Sequence, residues 1–293
     1  MVIGVGLGQL DGFPFEVRYS DGMGFRAQSL AEIARDAYDY LSHLFGGIEP
    51  DIALIVANRE DWQSRQPYGL PFFNDDERQI RPGILVMPTQ NGDFWNAIAD
   101  DLLQASPREF QRIATTYPDG NGGVNLQPFF DLITLHELGH AFEVLGDLNL
   151  PTFWLGEIFA NLAMHVFVAT QRPDCLATLE ALPEVGAASR PLMDRMKAEG
   201  YTTLEDLERH YTGGADPMET LNYVWYQYRW QRIAAAIYDA EGEESLVRFW
   251  NCFRSSELAS GHSSSTEVVA ELLTSEVSET LGRAIKSWQA ALG

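Results

Sequence analysis

The chain has 293 residues, of which 45% are hydrophobic and 12% aromatic, so it can bury a large core in one domain or in two unequal ones. Its 42 acidic residues outnumber its 20 basic residues, and the formal net charge is −22. This balance argues against nucleic acid and anionic membranes as partners, because both need a basic face. It favours basic peptides or proteins, unless the acidic residues serve only to keep the surface hydrated.

The cysteines, the N-terminal residues and the length of the apolar runs indicate the cellular compartment of the protein. The two cysteines, Cys175 and Cys252, lie far apart in the sequence, which fits a reducing environment and not a disulfide framework. Residues 1–15 contain no Lys or Arg and no long apolar core, so no signal peptide is predicted. An uninterrupted apolar run of about 18 residues is also missing, so no transmembrane helix is predicted. We therefore expect a cytoplasmic protein.

Three segments in the N-terminal part have β-strand patterns. Residues 13–19 alternate in polarity, and 51–57 form a continuous apolar run that is typical of a buried strand. Residues 83–87 are a further β-type run that ends at Pro88. Proline cannot donate to a sheet ladder, so Pro88 is expected either on an edge strand or at the end of a strand. As an edge strand this run would pair with an extended substrate.

Helices are predicted around these strands. Ser29 and Glu32 have the spacing of a capping box, so a helix is expected to follow Ser29 and to end near Phe45, before a pair of glycines. Two more helices are predicted over 93–104 and 106–117.

The C-terminal part is predicted to be helical. Pro128 suits the first turn of a helix, and the residues after it are apolar nearly all round, which predicts a buried helix. After Leu155 only helical patterns occur, over 156–171, 174–182, 190–199, 203–211, 217–240, 243–255, 265–275 and 277–291. We therefore predict an α+β fold, with a small mixed sheet and helices in residues 1–125 and a mostly helical part in residues 126–293.

The buried helix contains the motif His136-Glu137-Leu138-Gly139-His140. Helix positions i and i+4 lie about 40° apart, so both imidazoles can reach one metal ion, and zinc is the usual occupant of such a site. Glu137 points to the side of the pair, where it can deprotonate a metal-bound water without being a ligand. The structural alternative is two histidines that are hydrogen-bonded in a core.

A catalytic zinc site needs a third protein ligand and one open position for water. The downstream candidates are Glu143, Asp147, Glu157 and His165. Glu143 and Asp147 belong to the histidine helix or its end and reach a common metal with difficulty, whereas His165 is interpreted as a core or supporting histidine. Glu157 is the best candidate, because a short loop would fold its helix back onto the first. Asn161, one turn later, is expected to accept a proton from a ligand histidine and fix its tautomer.

These two segments together carry a resemblance to a known family. His-Glu-Leu-Gly-His at 136–140, followed by Trp-Leu-Gly-Glu-Ile-Phe-Ala-Asn at 154–161, resembles the gluzincin metallopeptidases, the thermolysin and aminopeptidase-like clan. The resemblance covers residues 128–165. It implies that His136, His140 and Glu157 are zinc ligands and that Glu137 is the general base. Asn161 stands where the family usually has Asp, and the Gly-x-Met-Glu-Asn signature of the aminopeptidase branch is absent, so exopeptidase activity is not supported.

The resemblance also implies a Tyr or His that stabilises the oxyanion of the transition state, on a helix about 15 residues before a glycine. With Gly242 as that glycine, Tyr226 and Tyr228 are predicted for this role, and Tyr223 and His210 are further candidates. Aromatic core packing is the plainer interpretation of each tyrosine.

Two functions follow as hypotheses. The first is a zinc-dependent peptidase that attacks a peptide or protein substrate with a metal-activated water and uses Glu137 as base. The second is a non-catalytic, zinc-stabilised binding or scaffold protein derived from a peptidase fold. The presence of Glu137 favours the first, because a structural site has no need of that carboxylate.

Overall fold

The computed structural model describes residues 6–62, 68–74, 83–90, 107–213, 220–254 and 265–288. The predicted α+β class is confirmed, since a five-stranded mixed sheet is followed by a long series of helices. The chain divides into two compact units, Met1–Gly146 and Asp147–Gly293. The predicted helix over 93–104 lies outside the described residues.

The first unit contains the sheet. Its strands are β1 (Gly8–Leu10), β2 (Glu16–Tyr19), β3 (Ile52–Ala57), β4 (Phe72–Asn74) and β5 (Gly83–Pro88), in the spatial order β1-β2-β3-β5-β4. The three middle strands are parallel to one another, and β1 and β4 run antiparallel at the two edges. Every residue of β3 and β5 is buried, as the apolar runs predicted.

The prediction of an edge strand at residues 83–87 is wrong, because β5 pairs with β3 on one side and with β4 on the other. The backbone pattern shows why Pro88 fits there. Thr89 donates its N–H to the carbonyl of Ala57 on the β3 side, so by alternation Pro88 faces the β4 side. The ladder with β4 reaches only to Val86, and no donor is required from Pro88. An interior strand can therefore end in proline.

Three described helices belong to this unit: α1 (Gly24–Leu44), α2 (Pro107–Thr116) and α3 (Gln127–Leu145). The expected capping box at Ser29 is wrong, because α1 begins five residues earlier, at Gly24. Ser29 therefore lies inside the helix, and its hydroxyl donates to the carbonyl of Phe25 one turn back.

Helix α3, which carries the histidine motif, is packed against the sheet. It contacts β4, β5 and α1, and a side-chain carbon added at Gly83 of β5 would lie 3.1 Å from Leu145 of α3. The opposite face of β3 and β5 has its own hydrophobic cluster, which includes Ile84 and Val86. Because α3 packs on the sheet, the boundary between the units falls after it, whereas the predicted boundary at 125 and 126 assigned it to the C-terminal part.

The described part of the second unit is entirely helical. Its helices are α4 (Phe153–Gln171), α5 (Leu176–Ala188), α6 (Arg190–Glu199), α7 (Leu204–Gly213), α8 (Thr220–Glu241), α9 (Glu244–Arg254), α10 (Thr266–Leu272) and α11 (Glu279–Lys286). Helix α4 packs against α8, and α5 and α11 also pack against α8. This pair of helices, α4 and α8, is therefore the centre of the unit.

Among the described residues, α4 is the one helix whose length and composition would allow it to cross a membrane, with a mean hydropathy of 1.3. The sequence analysis does not predict it as a membrane span, because Glu157, Asn161 and His165 interrupt its apolar run. Of the 18-residue stretch of α4 that meets this criterion, 83% is buried inside the structure. Helix α4 is therefore a core helix and is not convincing as a membrane span.

Candidate metal centre

The two histidines of the motif converge on one point. His136 and His140 lie one turn apart on α3, and their Nε2 atoms are 3.2 Å apart. Two ligands of a tetrahedral zinc ion, each at about 2.0–2.1 Å, are separated by about 3.3 Å. The pair is thus spaced as two ligands of one metal ion would be.

Glu143 holds His140 in this orientation. The Nδ1–H of His140 donates to a carboxylate oxygen of Glu143 at 2.8 Å, which leaves the Nε2 lone pair directed at His136. A carboxylate on the outer nitrogen of a ligand histidine is the usual support of such a site. The side chains of His140 and Glu143 each keep 17% of their surface exposed, so solvent reaches this side of the pair.

Glu137 follows His136 in the same helix and is buried, with 7% of its surface exposed. Its position is about 100° around the helix from His136 and about 60° from His140. Its side chain therefore leaves the helix beside those of the two histidines and not in line with them.

Glu157 completes the group. One ligand atom from each of His136, His140 and Glu157 lies within 4.8 Å of the other two. The three residues are those predicted as ligands. Two neutral imidazoles and one carboxylate form a donor set that suits zinc, so the residues fit such an ion, although several other divalent metals accept the same donors.

A closed network of hydrogen bonds surrounds the Glu157 carboxylate. The Tyr223 hydroxyl donates to Oε1 at 2.8 Å, and the Gln227 amide donates to Oε2 at 2.6 Å. The second N–H of Gln227 donates to the Tyr223 oxygen at 2.7 Å. Asn161 donates to the Gln227 carbonyl oxygen at 2.8 Å. Asn161 therefore supports the Glu157 carboxylate through Gln227, and the expected bond from a histidine to its amide oxygen stays a prediction.

The predicted tyrosines, Tyr226 and Tyr228, lie elsewhere. They are the neighbours of Gln227 on either side, so each points about 100° away from it around α8. The Tyr226 hydroxyl donates to the carbonyl of Thr203 at 2.7 Å, and the ring of Tyr228 packs on Gly186 of α5. Both side chains thus take part in packing between helices, and it is Tyr223 whose hydroxyl contacts Glu157.

His165 continues the polar side of α4 as a core histidine. It is buried, Gln231 of α8 donates to its Nδ1 at 3.1 Å, and the ring of Tyr238 packs against it. Burial lowers the pKa of His165 to about 4, so it is neutral at pH 7.

The contacts of Tyr223, Gln227 and Glu143 were not predicted. A signal for the first two exists in the sequence, because Tyr223, Gln227 and Gln231 form a polar stripe at i, i+4 spacing in helix α8. The partner helix of that stripe is not evident from local pattern.

Comparisons with protein-family models, with curated proteins and with solved structures find no match to this chain. The arguments for its function therefore come from the residues and their geometry.

Proposed function

We propose that this protein is a zinc-dependent hydrolase of peptide bonds, similar in its active site to the gluzincin metallopeptidases. The observation that carries the proposal is the grouping of His136, His140 and Glu157 within 4.8 Å, beside the buried carboxylate of Glu137. Zinc bound there would lower the pKa of a water molecule towards about 7 and polarise the scissile carbonyl.

The residues of the chain have separate roles in this reaction. His136, His140 and Glu157 hold the ion. Glu137 accepts the proton of the attacking water and later transfers it to the leaving amine. Glu143 keeps the Nε2 lone pair of His140 directed inward through its bond to Nδ1.

The substrate class follows from charge. A net charge of −22 steers basic peptides or proteins towards the molecule and repels nucleic acid and anionic membranes. Both cysteines are free, which supports a reducing, cytoplasmic location.

The alternative is a zinc-stabilised binding or scaffold protein. A structural zinc site closes its fourth position with a protein ligand. Within the described residues the group contains three ligand side chains, which leaves a position for water. This count favours the hydrolase.

Metal analysis and a peptide-library assay of the wild type and Glu137→Gln test the proposal. We expect one zinc per chain in both proteins and a loss of hydrolysis of at least about 100-fold in the variant, because the base is removed while the ligands remain. Glu279→Gln is the matched control, since Glu279 is largely exposed.

The possible outcomes separate the hypotheses. Wild-type protein that binds no metal contradicts the metal centre. Equal turnover by both proteins removes Glu137 as the base. Zinc binding without cleavage of any peptide supports the scaffold.

A further inference from the structure

We propose that Tyr223 and Gln227 are positioning residues that clamp the Glu157 carboxylate as a metal ligand, and that Tyr223 is not an oxyanion donor. The inference rests on the proposed metal centre, and it assigns to these two residues the strength with which the metal is held. We call the pair the carboxylate clamp.

The clamp fixes both oxygens of one carboxylate. Tyr223 bonds Oε1 and Gln227 bonds Oε2, so the plane of the carboxylate cannot rotate without breaking a bond. Each carboxylate oxygen has two acceptor sites. The clamp occupies one of these sites on each oxygen, and a ligand oxygen of Glu157 lies within 4.8 Å of the ligand nitrogens of His136 and His140.

The single hydroxyl hydrogen of Tyr223 is already used. Gln227 donates to the Tyr223 oxygen at 2.7 Å, so the hydrogen of that hydroxyl is directed to Glu157. A phenol has only one hydrogen to donate. For Tyr223 to stabilise an oxyanion it would have to abandon a buried carboxylate, which costs more than a neutral hydrogen bond.

The orientation of the Gln227 amide is also determined. Its N–H groups face two oxygens, those of Glu157 and Tyr223, whereas its carbonyl oxygen faces the amide of Asn161. Asn161 is itself held by a bond to the backbone carbonyl of Glu157 at 2.8 Å. Rotating the Gln227 amide by 180° would break its hydrogen bonds to Glu157, Tyr223 and Asn161. The N–H group of Gln227 therefore stays directed at the Glu157 carboxylate.

The clamp is built on regular helices. Tyr223 and Gln227 are one turn apart on α8, and Glu157 and Asn161 are one turn apart on α4, the helix that packs against it. Positions i and i+4 share a helix face, so two facing pairs meet without a loop. A ligand supported from a rigid helix loses little entropy when a metal binds.

The experiment measures zinc affinity by competition with a chromogenic chelator in the full chain. We expect Tyr223→Phe and Gln227→Met each to weaken zinc binding by about 10–100-fold, the usual effect of removing the support of a ligand. Gln227→Met provides the test should Tyr223→Phe not fold.

Tyr226→Phe is the matched control. It removes the same hydroxyl from the same helix, but that hydroxyl donates to the carbonyl of Thr203. Its thermal stability should fall while its zinc affinity stays that of the wild type. A parallel loss of affinity in Tyr226→Phe would mean that the effect is one of general stability and would overturn the clamp.

Other results overturn the clamp in distinguishable ways. Wild-type zinc affinity in both Tyr223→Phe and Gln227→Met contradicts it directly. Unchanged affinity with a kcat reduced by about 100-fold or more would make Tyr223 an oxyanion donor. If the wild type binds no zinc, the clamp fails together with the metal centre, whereas zinc binding without hydrolysis removes the peptidase and leaves the affinity comparison valid.

Discussion

Two carboxylates that are candidates for the third ligand have different tasks in the structure. Glu143 lies three residues after His140 on one helix face and bonds its outer nitrogen, so its oxygens are occupied on the side away from Nε2. Glu157 is in the ligand group. The hydrogen bond to Nδ1 separates them, because it places the Glu143 carboxylate on the side of the His140 ring opposite to Nε2.

Because His165 is buried, we expect the free energy of unfolding to depend on pH. Its pKa in the folded protein is lowered to about 4 by burial, which outweighs the opposing effect of Asp239. The unfolded chain, with an ordinary pKa of about 6.5, therefore binds more protons between these values. Its contribution to stability is complete above about pH 6.5 and is lost as the pH falls towards 4, by about 3 kcal/mol.

Thermal unfolding at several pH values checks this prediction. His165→Gln cannot titrate, so its stability should fall less steeply than that of the wild type between pH 6.5 and 4. The exposed His43 provides the control, and His43→Gln should retain the wild-type slope. Identical slopes for His165→Gln and the wild type would contradict the assignment of a neutral buried histidine.

At the scale of elements, a polar seam joins the two central helices of the second unit. Glu157, Asn161 and His165 of α4 meet Tyr223, Gln227 and Gln231 of α8 through side-chain hydrogen bonds. Each set is spaced by four residues. Buried polar pairs of this kind can specify register between helices, since a shift by one turn would leave a carboxylate without its donors.

The packing of α5 on α8 gives a prediction for Gly186. A side-chain carbon at this glycine would overlap the ring of Tyr228. Alanine is favoured over glycine in a helix by about 1 kcal/mol, but overpacking a core costs about 1–3 kcal/mol. Gly186→Ala should therefore lower the melting temperature, which differential scanning calorimetry measures. A higher melting temperature would show that helix propensity prevails and that the ring moves aside.

Structural features that depend on residues close together in the sequence can be predicted from it, whereas contacts between distant residues cannot. Helices α4 to α9 follow from periodicity. The candidate ligands His136 and His140 follow from the spacing of one motif, and Glu157 follows from the short loop that precedes its helix. The bond from Tyr223 to Glu157 joins residues 66 positions apart, and it depends on which helices pack together. The interior position of β5 depends on strand order in the same way, and local pattern does not encode that order.

At the scale of the whole molecule, each unit has a core of its own. The first is built on the buried strands β3 and β5, and the second on α4, of which fifteen residues from Trp154 to Val168 are buried. Among the acidic residues that the structure describes, Glu137 and Glu157 are buried, and the others keep contact with solvent, where they can act on the approach of charged partners.

The polar seam also matters before the protein has folded. During synthesis α4 leaves the ribosome well before α8, as a nearly apolar segment long enough to be inserted into a membrane. A charge at the centre of a membrane span costs about 3 kcal/mol, so Glu157 and its polar neighbours hinder insertion. In an assay of translocon-mediated insertion, the isolated segment should stay uninserted, and its variant with Glu157, Asn161 and His165 replaced by Leu should insert. Insertion of the native segment would contradict this, whereas the expected result means that the polar residues of α4, with Glu157 among them, also keep the nascent chain out of the bilayer.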